Sequence, residues 1–87
     1  MDDSELERLR DQIAALDRGI FASLNRRLEL VAELKRYKDE HSLAFVDPGR
    51  EAAMVDERVR ENHGPLSDEG LRAFYAELLA LVKRELY

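Results

Sequence analysis

The sequence predicts an all-α protein of three helices, one long and two shorter. Three observations carry this. From Ser4 to about His41, apolar residues fall at Leu6, Leu9, Ile13, Leu16, Ile20, Leu24, Leu28, Val31 and Leu34, in steps of three or four, the helical period. Helix-start chemistry then recurs twice, at Asp47-Pro48 and at Ser67-Asp68-Glu69. Finally, the first helix would be about 55 Å long, whereas a compact globule of 87 residues has a radius of gyration of only about 12 Å. Its apolar stripe outruns what two short helices can cover, so a second copy of the chain is expected to cover the rest, as an obligate homodimer.

Each element has its own reason. Ser4 followed by Glu7 reads as a capping box at the start of the long helix. No proline interrupts it, and Gly19 is the one weak point, costing about 1 kcal/mol relative to Ala. The helix is expected to end between Lys38 and His41. Residues 42–46, Ser-Leu-Ala-Phe-Val, read as a connecting loop with an apolar anchor. Asp47 caps a second helix from Pro48 to about Asn62, with Ala52, Val55 and Val59 on one face. His63-Gly64-Pro65 stops it, and Asn62 or Gly64 is expected in the left-handed position that commonly ends a helix. Ser67 opens a third helix to about Leu86, whose apolar residues are Leu71, Phe74, Leu78, Leu81 and Val82, with Tyr75 as a further candidate. The whole chain, 1–87, reads as one domain.

Composition removes several classes of function. The formal net charge of −5 argues against nucleic acid or an anionic membrane as partner. No apolar run approaches the roughly 20 residues of a membrane span. Met1-Asp2-Asp3 is acidic and lacks an apolar segment, so no signal peptide is expected. There is no cysteine, which excludes thiol chemistry and fits a cytoplasmic protein. His41 and His63 lie in loop positions with no carboxylate spacing around them to suggest a metal, so no metal site is expected.

What remains is a set of cations. Arg27 and Lys38 are eleven residues apart and share a helix face, about 16 Å from each other. Arg10 precedes Arg27 by 17 residues, about 25 Å, too far for one small ligand within a chain. Between antiparallel long helices of a dimer, Arg10 of one chain would reach the Arg27 region of the other. An arginine on a helix is ordinarily a solvated side chain or an ion-pair member, so spacing alone does not single these three out. The cluster Asp47, Arg50 and Glu51 is more pointed. It sits on the first turn of a helix, whose free N–H groups and positive dipole end favour an anion. The ordinary alternative is that Asp47 caps, Glu51 complements the dipole and Arg50 points to water.

These residues together carry a resemblance. Leu9-Arg10, Ile13, Leu16-Asp17, Arg27, Val31-Ala32 and Lys38 are followed by Asp47-Pro48-Gly49-Arg50-Glu51 and by Asn62-His63-Gly64-Pro65-Leu66-Ser67. The pattern resembles the all-helical class of chorismate mutase over nearly the whole chain. The resemblance implies an intertwined homodimeric helical bundle with two equivalent sites, each using three helices of one chain and an arginine of the other. It implies rearrangement of chorismate to prephenate in aromatic amino acid biosynthesis, with no cofactor.

By position, Arg10 matches the arginine donated across the dimer to a substrate carboxylate, and Arg27 the arginine that pairs with the other carboxylate. Lys38 matches the lysine that contacts the ether oxygen and a carboxylate. Asp47 matches a residue near the substrate hydroxyl, Arg50 the second-helix arginine, and Glu51 the carboxylate that accepts from the ring hydroxyl. The third helix departs from the pattern. Val82 stands where a serine is usual, and Leu86 where a glutamine or glutamate faces the ether oxygen, with Glu85 one position away.

The chemistry agrees with these residue types. Chorismate carries two carboxylates, and its rearrangement is a one-step pericyclic shift without nucleophile or proton transfer. A site need only hold a compact conformer and stabilise charge growing on the ether oxygen, which calls for Arg and Lys donors and apolar walls. Two other readings stand beside it. One is a relative on the same fold that eliminates pyruvate from isochorismate or rearranges an amino analogue of chorismate. The other is a non-catalytic helical dimerisation or regulatory module. An activating partner enzyme is a further candidate partner.

Overall fold

The computed structural model describes residues 3–87; Met1 and Asp2, on which part of the expectation about the N-terminus rests, lie outside the described residues. The order is α1 (Asp3–Glu40), α2 (Pro48–Glu61) and α3 (Asp68–Leu86), with no strand among the described residues. The three expected helices are present with ends within one residue of those expected. The chain forms two compact units, one ending at Arg36 and the other running Tyr37–Tyr87.

In the first unit every residue from Asp3 onward is helical. The capping box is a correction: α1 already includes Asp3, so Ser4 lies inside the first turn and is not its cap. Asp3 and Glu5 carry the helix upstream by placing carboxylates at its positive end. Short-range pairs line the exposed surface, Arg8 with Glu5 and Arg26 with Glu29. The bond to Glu5 holds the Arg8 guanidinium above its ordinary pKa, against a small opposing effect of desolvation. The apolar stripe is open: Ile13, Leu16 and Ile20 are all more than half exposed, Leu16 at 69%, and Phe21 beside it is exposed too. Leu9, Leu24, Leu28 and Val31 are half-buried.

The second unit begins with the end of α1. There the Leu43 N–H donates to the Lys38 carbonyl at 2.8 Å and the Ser42 N–H to the Asp39 carbonyl at 3.3 Å. This is a Schellman termination, and Ser42 takes its left-handed position at φ 55°. It is the only non-glycine residue with positive φ among those described, and no described glycine has one. The expectation of a left-handed Asn62 or Gly64 is therefore overturned. Asn62 caps α2 in an extended conformation, φ −77° and ψ 122°. Its side chain takes over the role of a left-handed residue: Nδ2 donates to the Leu66 carbonyl at 2.8 Å, and Oδ1 accepts from the Gly64 N–H.

Asp47 caps α2 as expected, its Oδ1 accepting from the Arg50 N–H at 3.1 Å, and Ser67 caps α3 by accepting from the Gly70 N–H at 2.9 Å. α2 and α3 form an antiparallel pair. Moving away from their connection, Asp56 meets Arg72 at 2.9 Å, Met54 meets the Tyr75 hydroxyl at 4.0 Å, and Glu51 meets Lys83 at 3.3 Å. The inward face of α2 is thus Glu51, Met54, Val55 and Val59, and Ala52 is exposed. On α3, Leu71, Tyr75, Leu78 and Leu81 are half-buried, whereas Phe74 is 63% exposed and does not belong to that face. Val82, at 5%, is the one buried residue among those described.

Candidate active site

Arg10 lies on the exposed surface of α1, in the first unit. Arg27, in the same unit, is half-buried, and its Nη1 is fully buried with no hydrogen-bond acceptor. A guanidinium is a permanent cation with five N–H donors, and a buried donor left without a partner costs about 1–3 kcal/mol, more when charged. Such an atom is suited to receive an anion.

In the second unit, Lys38 is half-buried and its Nζ donates to the Phe45 carbonyl at 3.3 Å, with the Phe45 ring 5.9 Å away. Phe45 in turn meets Tyr87 edge-on, with ring centres 5.3 Å apart. One loop residue therefore links the ammonium of Lys38 to the end of α3, beside Leu86. The anchor expected in residues 42–46 is Phe45: it is half-buried while Leu43 and Val46 are exposed.

Asp47, Arg50 and Glu51 gather on the first turn of α2. Asp47 is engaged twice, its side chain with the Arg50 N–H and its carbonyl with the Glu51 N–H at 2.9 Å. This exposed Asp47 acts as a cap, and the exposed Arg50 side chain reaches away from the core. Glu51 is half-buried, and its carboxylate faces the Lys83 ammonium. Sequence reasoning missed Lys83. The signal was available in outline: in an antiparallel pair the last turns of α3 lie against the first turn of α2, and a cation there finds Glu51.

Of the three third-helix candidates, Val82 is buried, Leu86 half-buried and Glu85 exposed. Val82 and Leu86 are four residues apart and share a face, whereas the Glu85 side chain is turned to its exposed edge. Both histidines are exposed. His41 stacks on Tyr37 at 4.0 Å between ring centres. Among the described residues no three His, Asp or Glu side chains gather as metal ligands would, and no helix is long and apolar enough to cross a membrane.

The comparison with known proteins agrees with this helical architecture. Residues 9–86 match the model of the family "Chorismate mutase type II". Two solved structures of chorismate mutase from Thermus thermophilus superpose closely. Form I has a TM-score of 0.86 at 32% identity, covering 90% of this chain and 98% of that one; form II has 0.88 at 31%, covering 92% and 91%. Among curated relatives, a T-protein from Enterobacter agglomerans is 43% identical over 58 residues, 67% of this chain. A 4-amino-4-deoxychorismate mutase from Streptomyces venezuelae is 35% identical over 63 residues, 70% of this chain. The chain spans 16% of the length of that T-protein and 61% of the length of the Streptomyces enzyme. By fold it is an all-helical mutase domain. It belongs to the chorismate mutase type II family.

Proposed function

We propose that this protein is a chorismate mutase that converts chorismate to prephenate, and that it does so as an intertwined homodimer. The observation that carries the reading is the buried, unpartnered Nη1 of the half-buried Arg27, a cationic donor suited to a substrate carboxylate. In the reaction the ether C–O bond breaks as a new C–C bond forms, and negative charge grows on the ether oxygen. Arg27 and, from the partner chain, Arg10 hold the two carboxylates. Together they select the compact conformer and so remove much of the entropic part of the barrier. Lys38 supplies a cation for the ether oxygen, where a positioned donor contributes about 3 kcal/mol. Glu51 accepts from the ring hydroxyl, and Asp47 and Arg50 line the same end of the site. No proton moves, so none of these residues acts as acid or base.

The dimer is supported by the open stripe of α1, where Ile13, Leu16 and Ile20 are more than half exposed; contiguous apolar surface of this kind marks an interaction face. A cytoplasmic location goes with this reading.

The 4-amino analogue of chorismate is the competing substrate, because a relative that is 35% identical is named for it. The deciding experiment offers purified protein chorismate, isochorismate and the 4-amino analogue separately. Loss of chorismate with stoichiometric prephenate is the expected result. Pyruvate from isochorismate, turnover of the amino analogue alone, or turnover of none would reject the proposal.

A further inference from the structure

We infer that Lys83 sets the preference of this site for a neutral hydroxyl over a cationic amine at the substrate position facing Glu51; the inference rests on the chorismate reading above. The Lys83 Nζ lies 3.3 Å from Glu51 Oε1. Their side chains are 39% and 26% exposed, against 50% and 55% for Arg72–Asp56, another ion pair that crosses from α2 to α3. The Glu51 pair is therefore the less screened of the two.

A half-buried carboxylate standing alone would draw an ammonium group more strongly than a hydroxyl. With Lys83 beside it, the charge at that point is already compensated. The carboxylate keeps lone pairs free to accept from a hydroxyl, since one ammonium contact uses few of its acceptor sites. A primary amine in the same place is protonated near neutral pH. It would gain little from a neutralised carboxylate and would sit beside a like charge. Lys83 thus discriminates by repulsion, the half of specificity that a list of attractive contacts leaves out. It acts through Glu51 and through its own field, as a specificity-determining residue apart from the reacting atoms.

The test measures kcat/KM for chorismate and for its 4-amino analogue at pH 6.5 in the wild type and in Lys83→Met, Lys83→Gln and Lys83→Arg, with Tm recorded for each. The hydroxyl-to-amine ratio is expected to fall about tenfold in the two neutral variants, the effect of removing one nearby like charge at an intermediate dielectric. Lys83→Arg should keep the wild-type ratio. In the wild type the discrimination should also shrink as pH rises and the amine of the analogue loses its proton. A lysine that merely clamps α2 to α3 would, when removed, lower Tm and reduce both activities together at a constant ratio, and that result overturns the inference. Two neutral variants guard against one that does not fold. A wild type active on chorismate with an unchanged ratio in both overturns this inference alone. A wild type inactive on both substrates overturns the parent reading and this one with it.

Discussion

The ammonium of Lys38 is docked on Phe45, 3.3 Å from its carbonyl oxygen and 5.9 Å from the centre of its ring. The same lysine's backbone carbonyl accepts the Leu43 N–H that closes α1. Residues 41–45 therefore fold back over Lys38, and the helix end and the side chain are held by one short loop. The contact to a neutral carbonyl leaves the charge of Lys38 uncompensated by any anion at that contact, which suits a cation whose proposed partner is an ether oxygen gaining charge.

From this follows the first expectation. Lys38→Met should lower kcat at least 100-fold, because a donor at a developing oxyanion is worth about 3 kcal/mol. Its effect on KM should be smaller, since the ether oxygen carries little charge before the reaction begins. Steady-state assay of the conversion of chorismate to prephenate measures both quantities, and a change confined to KM would remove Lys38 from this role.

Arg27→Ala should cost about 3 kcal/mol or more in kcat/KM by removing a charge-assisted contact to a dianion. Arg18→Ala, exposed on the same helix and outside the proposed site, should change little. Mixed dimers of Arg10→Ala and Arg27→Ala chains should recover activity, because one of their two sites would hold both arginines. No recovery in a demonstrated mixed dimer would reject donation of Arg10 across the interface.

On α3, Leu86 shares a half-buried face with Val82 but cannot donate a hydrogen bond. Leu86→Gln should raise kcat more than it changes KM, as a contact that strengthens while charge develops. Glu85 is exposed on the chain, so Glu85→Ala should leave the rate and its pH profile unchanged. An activity lost in Glu85→Ala and falling with rising pH in the wild type would mean that Glu85 donates in its protonated form instead.

Ser42 holds a left-handed backbone that costs an L-residue about 1–2 kcal/mol relative to glycine. Glycine gives back part of that through its looser unfolded state. Ser42→Gly should therefore stabilise the protein by about 0.5–1 kcal/mol, visible as a higher urea midpoint at unchanged m-value. A lower midpoint would mean that the serine side chain contributes more than its backbone costs.

Assembly should appear in the concentration dependence of unfolding. If a second chain covers the α1 stripe, the midpoint rises with protein concentration. Sedimentation that finds a folded monomer at micromolar concentration would contradict the dimer, and with it the cross-chain role of Arg10.

The helices were legible because their ends are written locally. Asp47-Pro48 and Ser67-Asp68-Glu69 need only a few neighbouring residues to act, and both caps form as read. The left-handed residue was misplaced for the complementary reason. Glycine and asparagine advertise that conformation, but Asn62 met its backbone's needs with its side chain, while the Schellman turn over Lys38 placed it on a serine that carries no such signal. Lys83 was legible only in outline, for a third reason. Its meaning depends on which residue of α2 it faces, a long-range register that periodicity along α3 does not encode. Phe74 fell with the apolar residues of α3 by period and yet is exposed, because its position lies off the face that Arg72, Tyr75 and Lys83 turn to α2.

With Val82 as the one buried residue among those described, this chain has scarcely any interior of its own. Tolerance to mutation should therefore follow a map that differs from the exposure of one copy. In a saturation mutagenesis screen scored for function, Ile13, Leu16 and Ile20 should reject polar replacements as sharply as core positions do in larger proteins. Surface charges such as Arg18 should vary freely. The contrast between those two sets would trace the face on which the proposed second chain lies, without any structure of the pair.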